Sequence, residues 1–264
     1  MMIVLEKRSE QSKAMTFLSP VLAIGLTVVI GGFIFTGLGL DPFKALYIYF
    51  IEPMTSIWSV EELIVKAAPL ILIGAGLAVC YTANVWNIGA EGQLTIGALF
   101  GAAIPVYFTA WQSPLVLVLM LVLGAVGGAL FGAIPALLKN RFGANEILTS
   151  LMLVYVAQLL LDWLVRGPWR DPQGFNFPQS VPFEGWQLLP LLGEGRVHIG
   201  AILAVVAVII LWIMMGRSLR GFEIRVIGRS PRAGAFAGFG QKRVVWFCFM
   251  LSGALAGLAG ICEV

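Results

Sequence analysis

The 264 residues carry 59% hydrophobic and 12% charged side chains at a mean hydropathy of +0.92, against roughly 45–50% and 25% in soluble domains. That much apolar surface would overfill any single soluble core, which excludes an ordinary soluble domain and leaves a lipid bilayer as the solvent. The net charge of +3 is too small to specify a polyanionic partner, so nothing points to nucleic acid.

In chain order, the first apolar run is Phe17–Leu40, after the charged lead Glu6-Lys7-Arg8. It is too long for a signal-peptide core and shows no small-residue cleavage site, so it reads as an anchor helix. Further runs of membrane-spanning length are Leu63–Ala83, Leu94–Ala110, Pro114–Leu138, Ile147–Val165, Ile199–Met215 and Val244–Val264. The expectation is an all-α, polytopic transmembrane helix bundle of about seven spans. It forms one domain over 1–264, with a lead at 1–16, an outer segment at 167–197 and a basic loop at 217–243.

Basic residues orient it. With the amino terminus in the cytoplasm, the inner face receives Lys7, Arg8, Lys13, Lys139, Arg141, Arg217, Arg220, Arg225, Arg229, Arg232, Lys242 and Arg243. The outer face keeps Lys44, Lys66, Arg166, Arg170 and Arg196. Twelve against five follows the positive-inside bias, and the reverse topology would violate it. Glycines stand four apart at Gly97 and Gly101, at Gly124, Gly128 and Gly132, and at Gly253 and Gly257. Small residues at this spacing let helix backbones approach where lipid provides no hydrophobic drive. Cys80, Cys248 and Cys262 fall inside apolar runs at no metal or redox spacing and read as packed residues.

Three polar stretches could carry function. In Asn84–Gln93, Asn, Gly, Glu and Gln concentrate between two apolar runs. One reading is a capped turn, with Asn87 capping a helix that starts near Glu91. The other is a broken helix lining a translocation path, because irregular backbone persists at membrane depth only where it is buried in protein or lines a cavity, and embedded ionisable groups are expensive unless functional. In Arg217–Arg243, seven basic residues face the single acid Glu223. There Ser230-Pro231 reads as an N-cap with proline at the first helical position, opening a short helix that Gly238 stops. This loop either rests on anionic head groups or docks a cytoplasmic partner. In Lys139–Glu146, Asn145 reads as the cap of the fifth span. Asp162 and Arg166 are spaced for an ion pair, and His198 reads as interfacial. The segment 167–197, with five prolines among aromatic residues, is either an interfacial belt or a receiving surface for an external protein.

Taken together, Asn87-Ile88-Gly89-Ala90-Glu91-Gly92-Gln93, then Gly143-Ala144-Asn145-Glu146-Ile147 with Leu151-Met152-Leu153, then Ser252-Gly253-Ala254-Leu255-Ala256-Gly257-Leu258-Ala259-Gly260 resemble permeases of bacterial ABC importers. The resemblance is to the nucleoside and simple-sugar branch, related to ribose and branched-chain amino-acid permeases, and it runs from about Ala67 to the end. Glu223-Ile224-Arg225-Val226-Ile227-Gly228 through Ala237-Gly238-Phe239 resembles that family's coupling segment. Ser230-Pro231 stands where the family usually has Asn-Pro, and Ala233-Gly234 where it has paired alanines. The family continues for further helices, so the sequence reads as a shortened permease.

The resemblance implies a non-enzymatic subunit in a bacterial inner membrane, importing nucleosides. Asn87, Gly89, Glu91, Gly92 and Gln93 would lie on the substrate path. Gly228, Ser230, Pro231, Ala233, Phe236 and Gly238 would couple to a cytoplasmic ATP-binding subunit. A second permease and an external substrate-binding lipoprotein would complete the assembly. No cofactor is expected on this chain, since it has no Gly-Lys dipeptide and hence no P-loop. The alternatives are a permease for ribose or another simple sugar, or an ATP-independent transporter, although the paired broken helices common there are not legible. An intramembrane enzyme lacks support: there is one histidine, and neither Gly-x-Ser-x-Gly nor His-Glu-x-x-His occurs.

Overall fold

The computed structural model describes residues 12–111, 113–183 and 185–263; the charged lead Glu6-Lys7-Arg8 lies outside them. The helices are α1 (Lys13–Gly37), α2 (Pro42–Phe50), α3 (Ile57–Thr82), α4 (Ala90–Tyr107), α5 (Leu115–Phe142), α6 (Glu146–Arg166), α7 (Gly200–Arg217), α8 (Leu219–Arg229), α9 (Pro231–Phe236) and α10 (Gln241–Glu263). Among the described residues the only β pairing is an isolated bridge between Leu191 and His198. Six helices among the described residues are long and apolar enough to cross a membrane: α1, α3, α5, α6, α7 and α10. The seventh expected span, Leu94–Ala110, is the 18-residue α4. Its first turn, Ala90-Glu91-Gly92-Gln93, is polar, and half of its other residues are buried inside the protein, with most of the rest half-buried.

The chain divides into two compact units, Met1–Val60 and Glu61–Val264. In the first, α1 ends where Gly39 takes a left-handed φ of +75°. Gly39 N–H donates to Thr36 O and Leu40 N–H to Phe35 O, the paired bonds of a Schellman stop. Asp41 then caps α2, its carboxylate accepting from Phe43 and Lys44 N–H, with Pro42 at the first helical position. This short helix was not read from the sequence.

In the second unit α4, α5 and α10 pack along the glycines. A Cβ added to Gly257 would lie 2.0 Å from Gly124 O, one on Gly97 2.2 Å from Gly257 Cα, and one on Gly128 2.1 Å from Gly253 O. Side chains are absent because backbone occupies their place. Around this seam, α3 and α7 add Leu72, Cys80, Ala204 and Leu211 against Val244, Cys248 and Phe249 of α10. All three cysteines are buried and free.

The two ends of the bundle differ in charge. At one end, α5 stops at Gly143 with Lys139 and Arg141 in its last turn, and Asn140 Nδ2 donates to Lys242 O at the start of α10. Asn145 caps α6 as expected, accepting from Ile147 and Leu148 N–H, and Lys139 pairs with Glu146. At the other end, Lys66 of α3 pairs with Glu263 of α10 at 2.8 Å, and Arg196 pairs with Glu62. Burial holds the His198 imidazole below its usual pKa there, Glu263 opposing the shift weakly. Arg166 and Asp162 form the expected ion pair, both exposed, which is worth little to stability.

Candidate functional site

The break between α3 and α4 is built residue by residue. Asn84 sits at φ +56°, Val85 N–H donates to Cys80 O, and Asn84 N–H donates to Tyr81 O. This is the same stop that Gly39 provides for α1, with an asparagine in the left-handed position. From Ala83 to Gly89 burial alternates strictly: Ala83, Val85, Asn87 and Gly89 face inward, and Asn84, Trp86 and Ile88 are exposed. Period-two alternation is the signature of extended chain. Between the left-handed Asn84 and Gly89 at φ −94°, ψ 14°, the non-helical residues Val85–Ile88 therefore join two helices, with one face against the bundle and the other open.

Its inner face is pinned by an amide network. Asn87 and Gln93 are 0% and 1% exposed, and Ser252 of α10 is 0% exposed. Asn87 Nδ2 donates to Gln93 Oε1 at 2.9 Å and to Ser252 Oγ at 3.1 Å. Asn87 Oδ1 accepts from Gln93 Nε2 at 3.2 Å and from Gly89 N–H at 3.0 Å. All four hydrogen-bonding positions of Asn87 are filled, as a buried amide requires. Asn87 is not the cap of α4: Gly89 occupies that position, and among the described residues no side-chain cap bond is made there. The reason is spatial. A Cβ on Gly89 would meet Ser150 O at 2.8 Å and one on Gly92 would meet Val154 Cα at 3.0 Å, so α6 presses against the first turn of α4. Ser150 Oγ also accepts from Ile88 N–H at 3.2 Å.

Depth follows from these contacts. A Cβ on Gly132 would lie 3.3 Å from Gln93 Nε2. Gly132 is seven residues before Lys139, or about 10 Å inside that end of α5. So α4 begins within the bundle and the extended stretch dips in to meet it. Glu91 points to the exposed side, where its Oε1 accepts from Gln158 Nε2 of α6 at 2.9 Å. Near the mouth of the dip, Tyr81 and Trp86 stack at a tilt with centroids 5.3 Å apart, and Trp86 Nε1 donates to Asn84 Oδ1 at 3.1 Å. Of the expected residues, Asn87, Gly89, Gly92 and Gln93 are thus buried supports, and Glu91 is on the open face. Ser150 and Gln158 were not singled out, and Ser252 stood only at the head of the third resembling block, with no role assigned to it. The lone amide of Gln158 between Ala157 and a leucine run was the available signal.

The second expected group lies at the basic end. Residues 217–243 contain two helices rather than one: the 11-residue α8 precedes the expected short helix, α9. Ser230 caps α9 through Ala233 N–H, Pro231 takes the first helical position, and Gly238 follows at φ +77°. Ala233 and Phe236 are exposed, Phe236 at 98%. Gly228 touches the break itself, since a Cβ there would lie 1.9 Å from Thr82 O. Arg225 donates to Met215 O, tying α8 to the end of α7. At the opposite end, residues 167–197 are mostly irregular but anchored by Trp169, which is buried and donates from Nε1 to Tyr107 Oη at 3.1 Å. Beside it an open cavity of about 660 Å³ is lined by Trp111, Asp171, Gln173 and Trp186 among others.

A model of the family described as branched-chain amino acid transport system, permease component, matches residues 59–264. The glucose ABC transporter permease protein TsgB13 of Haloferax volcanii is 38% identical over 257 residues, covering 93% of this chain and 67% of that protein. The guanosine ABC transporter permease protein NupP of Bacillus subtilis is 33% identical over 78% of this chain and 60% of its own length. The nucleoside ABC transporter permease protein NupB of Lactococcus lactis is 28% identical over 95% and 71%. The chain therefore spans about two thirds of the length of these curated relatives. No solved structure matches. The residues that build the break in the helix, the glycine seam and the basic-end helices all fall within the matched range, and the chain belongs to the family of permease components of branched-chain amino acid transport systems.

Proposed function

We propose that this chain is the membrane permease subunit of an ATP-driven importer for neutral, hydroxyl-bearing ring compounds, nucleosides first, with the substrate path along the open face of residues 84–91. The observation that carries this reading is the extended stretch whose inner face is locked by Asn87, Gln93 and Ser252 while its outer face is bare. Backbone of that kind survives at membrane depth only where protein covers it or it lines a cavity, and the bare outer face is the side the chain's own bundle does not cover. On this reading Asn87, Gly89, Gly92 and Gln93 shape the path and Glu91 faces it. A second permease subunit covers the open face, and an external binding protein delivers ligand at the 167–197 end. Nucleoside and glucose relatives both fit, since both ligand types are neutral polyols.

Glu91→Gln tests the path in cells expressing the full transporter. A carboxylate serving only the helix dipole is worth at most about 1 kcal/mol, and its loss would leave uptake intact. The expected result is radiolabelled guanosine uptake reduced at least severalfold at unchanged membrane abundance. Unchanged uptake returns Glu91 to a helix-end role.

The basic end is cytoplasmic on this reading, by the positive-inside bias, and α9 docks the ATP-binding subunit. The exposed Phe236 is the anchor, and Gly228 relays its motion to Thr82, directly before the break. Phe236→Cys is expected to crosslink to the ATP-binding subunit. Crosslinking from Lys139→Cys but not from Phe236→Cys would move the docking site to the α5–α6 turn.

A further inference from the structure

We propose that Glu91 and Gln158 form a recognition site for a vicinal diol, the paired hydroxyls of a sugar ring, in the middle of the membrane; this rests on the path reading above. Gln158 lies twelve residues beyond Glu146, about 18 Å along α6, where the hydrocarbon layer is about 30 Å thick. Its amide nitrogen is committed to Glu91 Oε1 at 2.9 Å. No other hydrogen bond among the described residues uses the second carboxylate oxygen or the Gln158 carbonyl. No lysine or arginine pairs with Glu91 there either. Two helices therefore present two acceptors on the bare face of a break whose buried amide, Asn87, is saturated.

That arrangement dictates its ligand. An acceptor pair built around a carboxylate repels phosphates and carboxylates and asks for two donors. The amide N–H of Gln158 fixes the carboxylate's orientation, much as a bidentate site is pre-set for its partner. Adjacent hydroxyls on a ring supply two donors at short, rigid spacing without introducing charge. The Tyr81–Trp86 stack, at the mouth of the same dip, offers a flat face to the rest of the ring system. The shared chemistry is the diol, carried by the pentose of a nucleoside or by a free hexose.

The test compares ligands across variants, so that the binding protein's own preference cancels. Uptake of guanosine and of 2′,3′-dideoxyguanosine is measured in wild type, Glu91→Gln and Gln158→Leu, with membrane abundance as the normaliser. Hydrogen bonds to a charged group contribute enough that losing them costs roughly tenfold or more. Both variants are expected to lose about tenfold in kcat/KM for guanosine and little for the dideoxy analogue. A parallel arm with radiolabelled glucose assigns the diol to a hexose if the variants impair glucose uptake and spare guanosine. Equal losses for guanosine and its dideoxy analogue would overturn the diol while keeping the path. Unchanged uptake of every ligand in both variants would overturn both. Gln158→Met provides an unbranched apolar replacement, closer to glutamine in shape, if the leucine variant fails to reach the membrane.

Discussion

Gly257→Val is expected to abolish the folded protein. Its added carbons would fall 2.0 Å from Gly124 O, while Gly97 and Gly128 already meet the Gly257 backbone from two other helices. Ordinary overpacking costs about 1–3 kcal/mol because a side chain can yield. Here the neighbours are backbone on α4 and α5, so relief requires separating the helices, which removes dispersion contacts along the whole seam. The measurement is membrane abundance together with thermal unfolding in detergent. Gly74→Ala is the control, since nothing lies within 4 Å of its Cβ position, and alanine there favours the helix. A Gly257→Val protein as abundant and stable as wild type would show that the three helices do not meet as described.

Gln93→Leu is expected to be the second most damaging change. It removes one half of the amide pair, leaving Asn87 Nδ2 with only Ser252 Oγ and Asn87 Oδ1 with only Gly89 N–H. A buried polar group left short of partners costs about 1–3 kcal/mol. The loss is local, because the seam is untouched. The expected result is a lowered unfolding temperature in detergent, with the extended stretch becoming susceptible to proteolysis before the bundle unfolds. Replacing both residues, as Asn87→Leu with Gln93→Leu, should cost less than the sum of the single changes, since the amide pair is lost as a unit, although Gly89 N–H and Ser252 Oγ lose their Asn87 partner. If the double variant is worse by the sum of the single ones, the two side chains do not act as a pair.

Much of this was legible in the sequence because membrane length and glycine spacing are strong signals. The apolar runs placed the long helices to within about four residues at each end, except that α3 begins at Ile57, six before the expected Leu63, and Gly97, Gly124, Gly128, Gly253 and Gly257 do sit on one seam. Local end chemistry was legible where a cap acts on its own helix, as at Asn145 and Ser230. It failed at Asn87, which has the right residue type at a plausible offset but turns inward to Gln93 and Ser252. A partner 165 residues away leaves no trace in local pattern. The helix α8 was hidden because the charges Arg220, Glu223, Arg225 and Arg229, in a Gly- and Arg-rich stretch, resemble solvated loop. Gln158 was visible as a lone amide among leucines, but its meaning appears only when α6 lies beside the first turn of α4.

The central claim is that one face of residues 83–89 is held by the bundle and the other borders the substrate. Single cysteines introduced at 83 through 88 in the full transporter, with the three buried native cysteines retained as background, can be titrated with a small polar thiol reagent. The account predicts labelling with period two: fast at Asn84→Cys, Trp86→Cys and Ile88→Cys, slow at Ala83→Cys, Val85→Cys and Asn87→Cys. Added guanosine should slow the fast set. Labelling that is uniform, follows a helical period, or is indifferent to guanosine at all three outward positions would contradict it.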